Sequence, residues 1–118
     1  MQRIMLRAKL HRLSVTDRNI EYEGSMTIDA SLLKAADIIG GERVQVVNLN
    51  NGARFETYVI EGKAGSGVAC LNGAAARLAE IGDLVIVIAY GVIDEKDLSG
   101  FKPRIVMVDG RNKVKKIS

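Results

Sequence analysis

Gly24 and Ser25, within Tyr22-Glu23-Gly24-Ser25-Met26, are the pair in this chain with the clearest chemical capacity. A serine hydroxyl reaches the carbonyl carbon of the preceding residue by closing a five-membered ring. Where the backbone is strained, that oxygen attacks the carbonyl and turns the amide into an ester. Glycine on the acyl side reaches unusual φ/ψ values and leaves room for a tetrahedral intermediate. Elimination from the ester splits the chain, and the dehydroalanine left behind hydrolyses to an N-terminal pyruvoyl group. Most Gly-Ser pairs sit in ordinary turns. The pair therefore takes its meaning from its company.

That company is Lys9 and His11 in Lys9-Leu10-His11-Arg12, then Arg54, Thr57 and Tyr58 in Asn51-Gly52-Ala53-Arg54-Phe55-Glu56-Thr57-Tyr58, and finally Asn72-Gly73-Ala74-Ala75-Ala76. Each motif alone is weak, and each residue taken singly is more often structural than functional. In this order and spacing, from the N-terminus to about Tyr90, the chain resembles the pyruvoyl-dependent aspartate 1-decarboxylases, which make β-alanine for pantothenate synthesis. The resemblance implies a proenzyme that cleaves itself at Gly24-Ser25 into a β chain of residues 1–24 and an α chain of residues 25–118. Ser25 becomes a covalent pyruvoyl group, with no metal.

The roles implied for the other residues suit their chemistry. Loss of an α-carboxylate leaves a carbanion, and a ketone attached to the chain can accept its electrons. Tyr58 is then the proton donor: a phenol is a weak acid, but a carbanion is basic enough to take its proton. Thr57 stabilises the cleavage intermediate and contacts substrate through its hydroxyl. Arg54 offers a planar fork to the carboxylate that L-aspartate keeps, and Lys9 adds a second positive contact. Asn72 orients the ligand, and Gly73, Ala74 and Ala75 offer free backbone N–H groups at a helix start. His11 lies near the family's site without a defined role. Lys9 would also suit pyridoxal phosphate, but no phosphate-cradling glycine loop accompanies it.

The elements that must place these residues are legible in part. From Ile4 to Leu10 the even positions are apolar, which predicts a half-buried strand with Lys9 and His11 on its other face. That face is either a solvated surface or a positive patch. Asp29 is a plausible N-cap for a short helix presenting Leu32, Leu33, Ala36 and Ile39, stopped by Gly40-Gly41. Arg43–Leu49 and Ala53–Ile60 form a hairpin about Asn51-Gly52. On a regular strand Thr57 and Tyr58 point in opposite directions. Either the strand twists or bulges there, or the two residues serve sites shared between subunits, which the resemblance favours.

Further on, the pattern gives a short strand over Val68–Leu71, a helix from Ala74 to Ile81 ended by Gly82, and a strand over Asp83–Tyr90 fit to be buried on both faces. Ile93–Leu98 reads as a polar turn, Gly100 and Pro103 as loop, Arg104–Val108 as a last strand. The basic tail with Arg111, Lys113, Lys115 and Lys116 reads as a solvated end. Many short strands without βαβ alternation predict a single-domain, mainly β fold, a small closed β-barrel with short helices. The resemblance implies the double-psi type, assembled as a homotetramer with active sites at subunit interfaces. It leaves open whether a maturation factor assists cleavage.

Composition excludes several classes. With 118 residues and 47% hydrophobic content the chain has apolar material for a core. A net charge of +3 suits a dianionic substrate and would equally suit nucleic acid, but no Trp, three Tyr and two Phe leave few rings for stacking bases. Nucleic acid is not the expected partner, although a β-barrel DNA-binding module is the competing reading. It leaves Gly24-Ser25, Arg54 and Tyr58 unexplained as a set. A serine hydrolase fits less well, with one histidine and no nucleophile elbow. Cys70, the only cysteine, precludes an intrachain disulfide and reads as a buried thiol. No signal peptide or membrane-length apolar run appears, so a cytoplasmic protein is expected.

Overall fold

The computed structural model describes residues 1–118. Nine strands carry the fold: β1 (Gln2–Ser14), β2 (Asp17–Asn19), β3 (Ser25–Asp29), β4 (Arg43–Asn48), β5 (Arg54–Gly62), β6 (Ala69–Asn72), β7 (Leu84–Asp94), β8 (Arg104–Val108) and β9 (Val114–Ile117). A single α-helix, α1 (Ala30–Ala36), and two 3-10 helices (Gly73–Leu78 and Glu95–Gly100) fill the connections. The strands run in the spatial order β2-β6-β3-β5-β4-β7-β1-β8-β9. β1 with β8, β2 with β6 and β3 with β5 are parallel, and the other neighbours are antiparallel. The fold is mainly β, a small barrel-like sheet with short helices, as the sequence predicts.

β5 joins the two halves of this sheet. Its first part, Arg54 to Tyr58, pairs with β4, and its second part, Val59 to Gly62, pairs with β3. Neither ladder contains a register shift, so side chains alternate strictly along the strand. Inward residues from both halves, including Leu10, Met26, Val46, Val59, Leu71 and Val87, make one buried core.

Several sequence-based expectations need correction. β1 begins earlier and runs longer than Ile4–Leu10, and its apolar alternation meets the core only from Ala8. Ile4 is 76% exposed because a register shift between Leu6 and Ala8 turns the start of β1 over, pairing Ile4 with the exposed Val92 and Leu6 with Tyr90 on the outer face. β7 extends to Asp94, taking in Ile93 and Asp94, which had read as turn. It is buried on one face only: Val85, Val87 and Ala89 face the core, while Leu84, Ile86 and Ile88 are half-buried.

α1 has its expected cap, with Ser31 N–H donating to Asp29 Oδ1 at 2.8 Å. It ends sooner, however, because Asp37 adopts the left-handed conformation and bonds back to the last turn. Gly40-Gly41 does not stop it. Ile38 is buried in place of Ile39. The predicted helix over Ala74–Ile81 is a 3-10 helix from Gly73 to Leu78. At its end the Leu78 carbonyl is taken by the side-chain amides of Asn48 and Asn51. Gly100 belongs to the second 3-10 helix. Arg104–Val108 is not the last strand, because the basic tail folds back as β9 on β8.

Candidate active site

Two antiparallel strands assemble the surroundings of Gly24-Ser25. β3 and β6 pair with Ser25 opposite Asn72 and Thr27 opposite Cys70. The two-residue period of a strand then places all four side chains on one face. Ser25 is fully buried and Asn72 nearly so. The Ser25 hydroxyl donates to the Glu23 carbonyl at 2.8 Å and accepts from Asn72 Nδ2 at 3.0 Å. Asn72 Nδ2 also donates to Thr27 Oγ1 at 3.0 Å, and the Cys70 thiol donates to Asn72 Oδ1 at 3.3 Å. Burial, helped by the nearby Asp17 charge, pushes the Cys70 thiol up, so it keeps its proton at neutral pH.

The glycine requirement falls elsewhere than expected. Gly24 does not have a positive φ, and a Cβ there would meet nothing within 4 Å. Gly24 thus has open space on its side-chain side, but the unusual backbone angles are not at this residue. They are at Gly73, with φ +63°, where a Cβ would come within 2.7 Å of Gly24 Cα and N and 3.0 Å of the Tyr22 carbonyl. Only glycine lets the Tyr22–Gly24 segment lie this close. Gly73 and Ala75 are buried and Ala74 is exposed.

The remaining predicted residues form a second group. Register carries one face across the sheet: Glu56 to Gln45, Gln45 to Ile88, Ile88 to Lys9, and Lys9 to Ile105. Arg54 and Tyr58 lie on this outer face of β5, and His11 lies beside Lys9 on β1. Arg54 Nη1 donates to Gln45 Oε1 at 2.9 Å, and the Tyr90 hydroxyl donates to the same oxygen at 2.7 Å. Thr57 points the other way and is half-buried. It lines a shallow depression of about 320 Å³ with Arg43, Glu56 and Tyr58.

Desolvation, reinforced by the charges of Lys9 and Arg12, holds His11 below its ordinary pKa of 6.5. It is neutral at pH 7, so the positive contribution of this strand comes from Lys9 rather than from the pair. Within one chain no hydrogen bond joins the outer group to Ser25. The regular β5 ladder also removes the bulge as a way of aiming Thr57 and Tyr58 together. Sequence reasoning missed Thr27 and the contact of Cys70, although the spacings Ser25-x-Thr27 and Cys70-x-Asn72 already place them on one face. No cluster of three or more His, Cys, Asp or Glu side chains capable of holding a metal is present.

Comparison with known proteins adds a separate line. A family model described as aspartate decarboxylase matches residues 1–115, well past Tyr90. The aspartate 1-decarboxylase of Pelotomaculum thermopropionicum is 61% identical over 110 residues, covering 93% of this chain and 83% of that protein. That of Thermoanaerobacter pseudethanolicus is 53% identical over 113 residues, covering 96% of this chain and 97% of the relative. That of Moorella thermoacetica is 55% identical over 114 residues, covering 97% and 89% respectively.

Proposed function

The chain belongs to the aspartate decarboxylase family, and from that premise we propose that it converts L-aspartate to β-alanine and carbon dioxide for pantothenate synthesis. The proposal includes its activation: cleavage at Gly24-Ser25 into chains 1–24 and 25–118, with Ser25 giving the pyruvoyl group. The observation that carries it is the placement of the Ser25 hydroxyl. It is buried, bonded on one side to the Glu23 carbonyl and on the other to Asn72, beside a glycine that the scissile segment packs against.

These surroundings fit the group. The Ser25 oxygen is separated from the Gly24 carbonyl carbon it must attack by only Cβ, Cα and N, so attack closes a five-membered ring, and burial of Ser25 excludes competing water. Asn72 steers the oxygen, and Thr57 stabilises the oxyanion that forms at Gly24. Once formed, the pyruvoyl group supplies a ketone that accepts electrons as the α-carboxylate leaves. Arg54 binds the substrate's remaining carboxylate through paired N–H groups, with Lys9 as a second cation. Tyr58 holds the proton destined for the substrate carbon. The backbone N–H groups of Gly73, Ala74 and Ala75 position the ligand.

The reading also includes a homotetramer, in which Arg54, Lys9 and Tyr58 of one chain face Ser25 of another. Two features support it. The outer group makes no hydrogen bond to Ser25 within the chain, and its sheet face leaves Tyr90 at 44% and Val92 at 62% exposure with no layer over them. No helix is long and apolar enough to cross a membrane, and a cytoplasmic location completes the reading. Incubating the cleaved protein with L-aspartate and following β-alanine tests the activity. Ser25→Ala should form none, and β-alanine at the wild-type rate from that variant would refute the assignment.

A further inference from the structure

Strand alternation places Thr27 and Cys70 in the cleavage cluster, where neither is needed as a reacting group. The Ser25 hydroxyl has one proton, and it goes to the Glu23 carbonyl. Its oxygen therefore meets Asn72 as an acceptor, which requires the amide nitrogen on that side. The second Nδ2 proton goes to Thr27 Oγ1 at 3.0 Å. The amide oxygen faces the Cys70 thiol at 3.3 Å. The carboxamide is thus anchored at three points, each consistent with a single orientation.

We infer that Thr27 is a positioning residue for self-cleavage: its hydroxyl oxygen fixes the plane of the Asn72 carboxamide, so that Nδ2 stays on Ser25 Oγ. The inference rests on the self-cleavage reading above. The first step of self-cleavage forms a bond between Ser25 Oγ and the Gly24 carbonyl carbon while the Gly24–Ser25 C–N bond breaks and the hydroxyl proton ends on the freed nitrogen. The ester then loses the Ser25 Cα proton and its Cβ–Oγ bond, releasing the Gly24 carboxylate, and water converts the dehydroalanine left behind to the pyruvoyl group with loss of ammonia. Torsion about the last side-chain bond of asparagine is soft. Without the Thr27 oxygen, one donor is left without a partner inside a buried site, and the carboxamide turns to find another. The Ser25 oxygen then loses its steering contact.

The test is the rate of self-cleavage of purified precursor, followed by intact mass, for wild type, Thr27→Val and Thr27→Ser, with melting temperature measured alongside. Valine keeps the shape and removes the oxygen, so cleavage should slow about tenfold, the size of one lost hydrogen bond. Serine keeps the oxygen and should restore the rate, which a role in packing alone would not produce. If the valine variant does not fold, Thr27→Ala takes its place against the same serine variant. Wild-type cleavage by the oxygen-less variant, or equal slowing by the serine variant, overturns the inference while leaving self-cleavage intact. Failure of the wild-type chain to cleave at all overturns both.

Discussion

Gly73 lies directly against Gly24, so close that a single added methyl at Gly73 would stand 2.7 Å from two backbone atoms of the scissile segment. The residue that must be glycine for this segment to seat is therefore across the strand pair from the bond proposed to break. Gly73 also has φ +63°, which an L side chain adopts only at a cost.

From this it follows that Gly73→Ala and Gly24→Ala behave differently. The first should lose about 1–3 kcal/mol of stability and slow cleavage, because the Tyr22–Gly24 segment is pushed off its seat. The second meets open space and should fold with near wild-type stability. Denaturant melts of the two variants, paired with their intact masses, check this. Equal stability of both would contradict it.

Tyr58 and Arg54 should separate maturation from turnover. Tyr58→Phe removes the hydroxyl proposed as proton donor and is expected to cleave normally while losing turnover by about 10²-fold or more. Arg54→Lys keeps the charge but not the fork, so it should raise KM for L-aspartate with a smaller change in kcat. Kinetics on matured protein give the answer. An unchanged kcat for Tyr58→Phe would remove Tyr58 from the chemistry.

How much of this was legible in the sequence depends on the kind of order involved. The Asn51-Gly52 hairpin, the Asp29 cap and the strict alternation of β5 are local, set by turn chemistry and a period of two, and they stand as read. Where the sequence reading failed, long-range packing decides. Ile4 looks like core by periodicity, but the register shift between Leu6 and Ala8 turns it onto the outer face beside Val92. The helix over Ala74–Ile81 has good propensity, yet side chains from the β4–β5 turn close it as a 3-10 helix. The glycine at Gly24 drew attention because it neighbours the reactive serine. The more demanding one, Gly73, shows itself only once β3 and β6 are paired.

Asp29 makes the fold acid-sensitive in a narrow range. Burial opposes its charge, but hydrogen bonds from the Ser31 hydroxyl, the Gly67 and Gly65 N–H groups and the Ser31 N–H outweigh it, lowering its pKa from 3.8 to about 2. The folded state thus holds the carboxylate ionised where the unfolded chain would protonate it. The stabilisation is complete above pH 3.8 and disappears as pH falls through about 2. Asp29→Asn should be less stable at neutral pH and show a flatter loss across that window. Parallel acid-unfolding curves for the two proteins would contradict this.

The central claim is that this chain breaks itself between Gly24 and Ser25, and the intact mass of the purified protein tests it most directly. Two fragments are expected: residues 1–24 ending in Gly24, and residues 25–118 beginning with a pyruvoyl group in place of Ser25. Ser25→Ala should give one uncut mass under the same conditions. A single full-length mass for the wild-type chain, persisting after prolonged incubation and after addition of cell extract, would contradict the account.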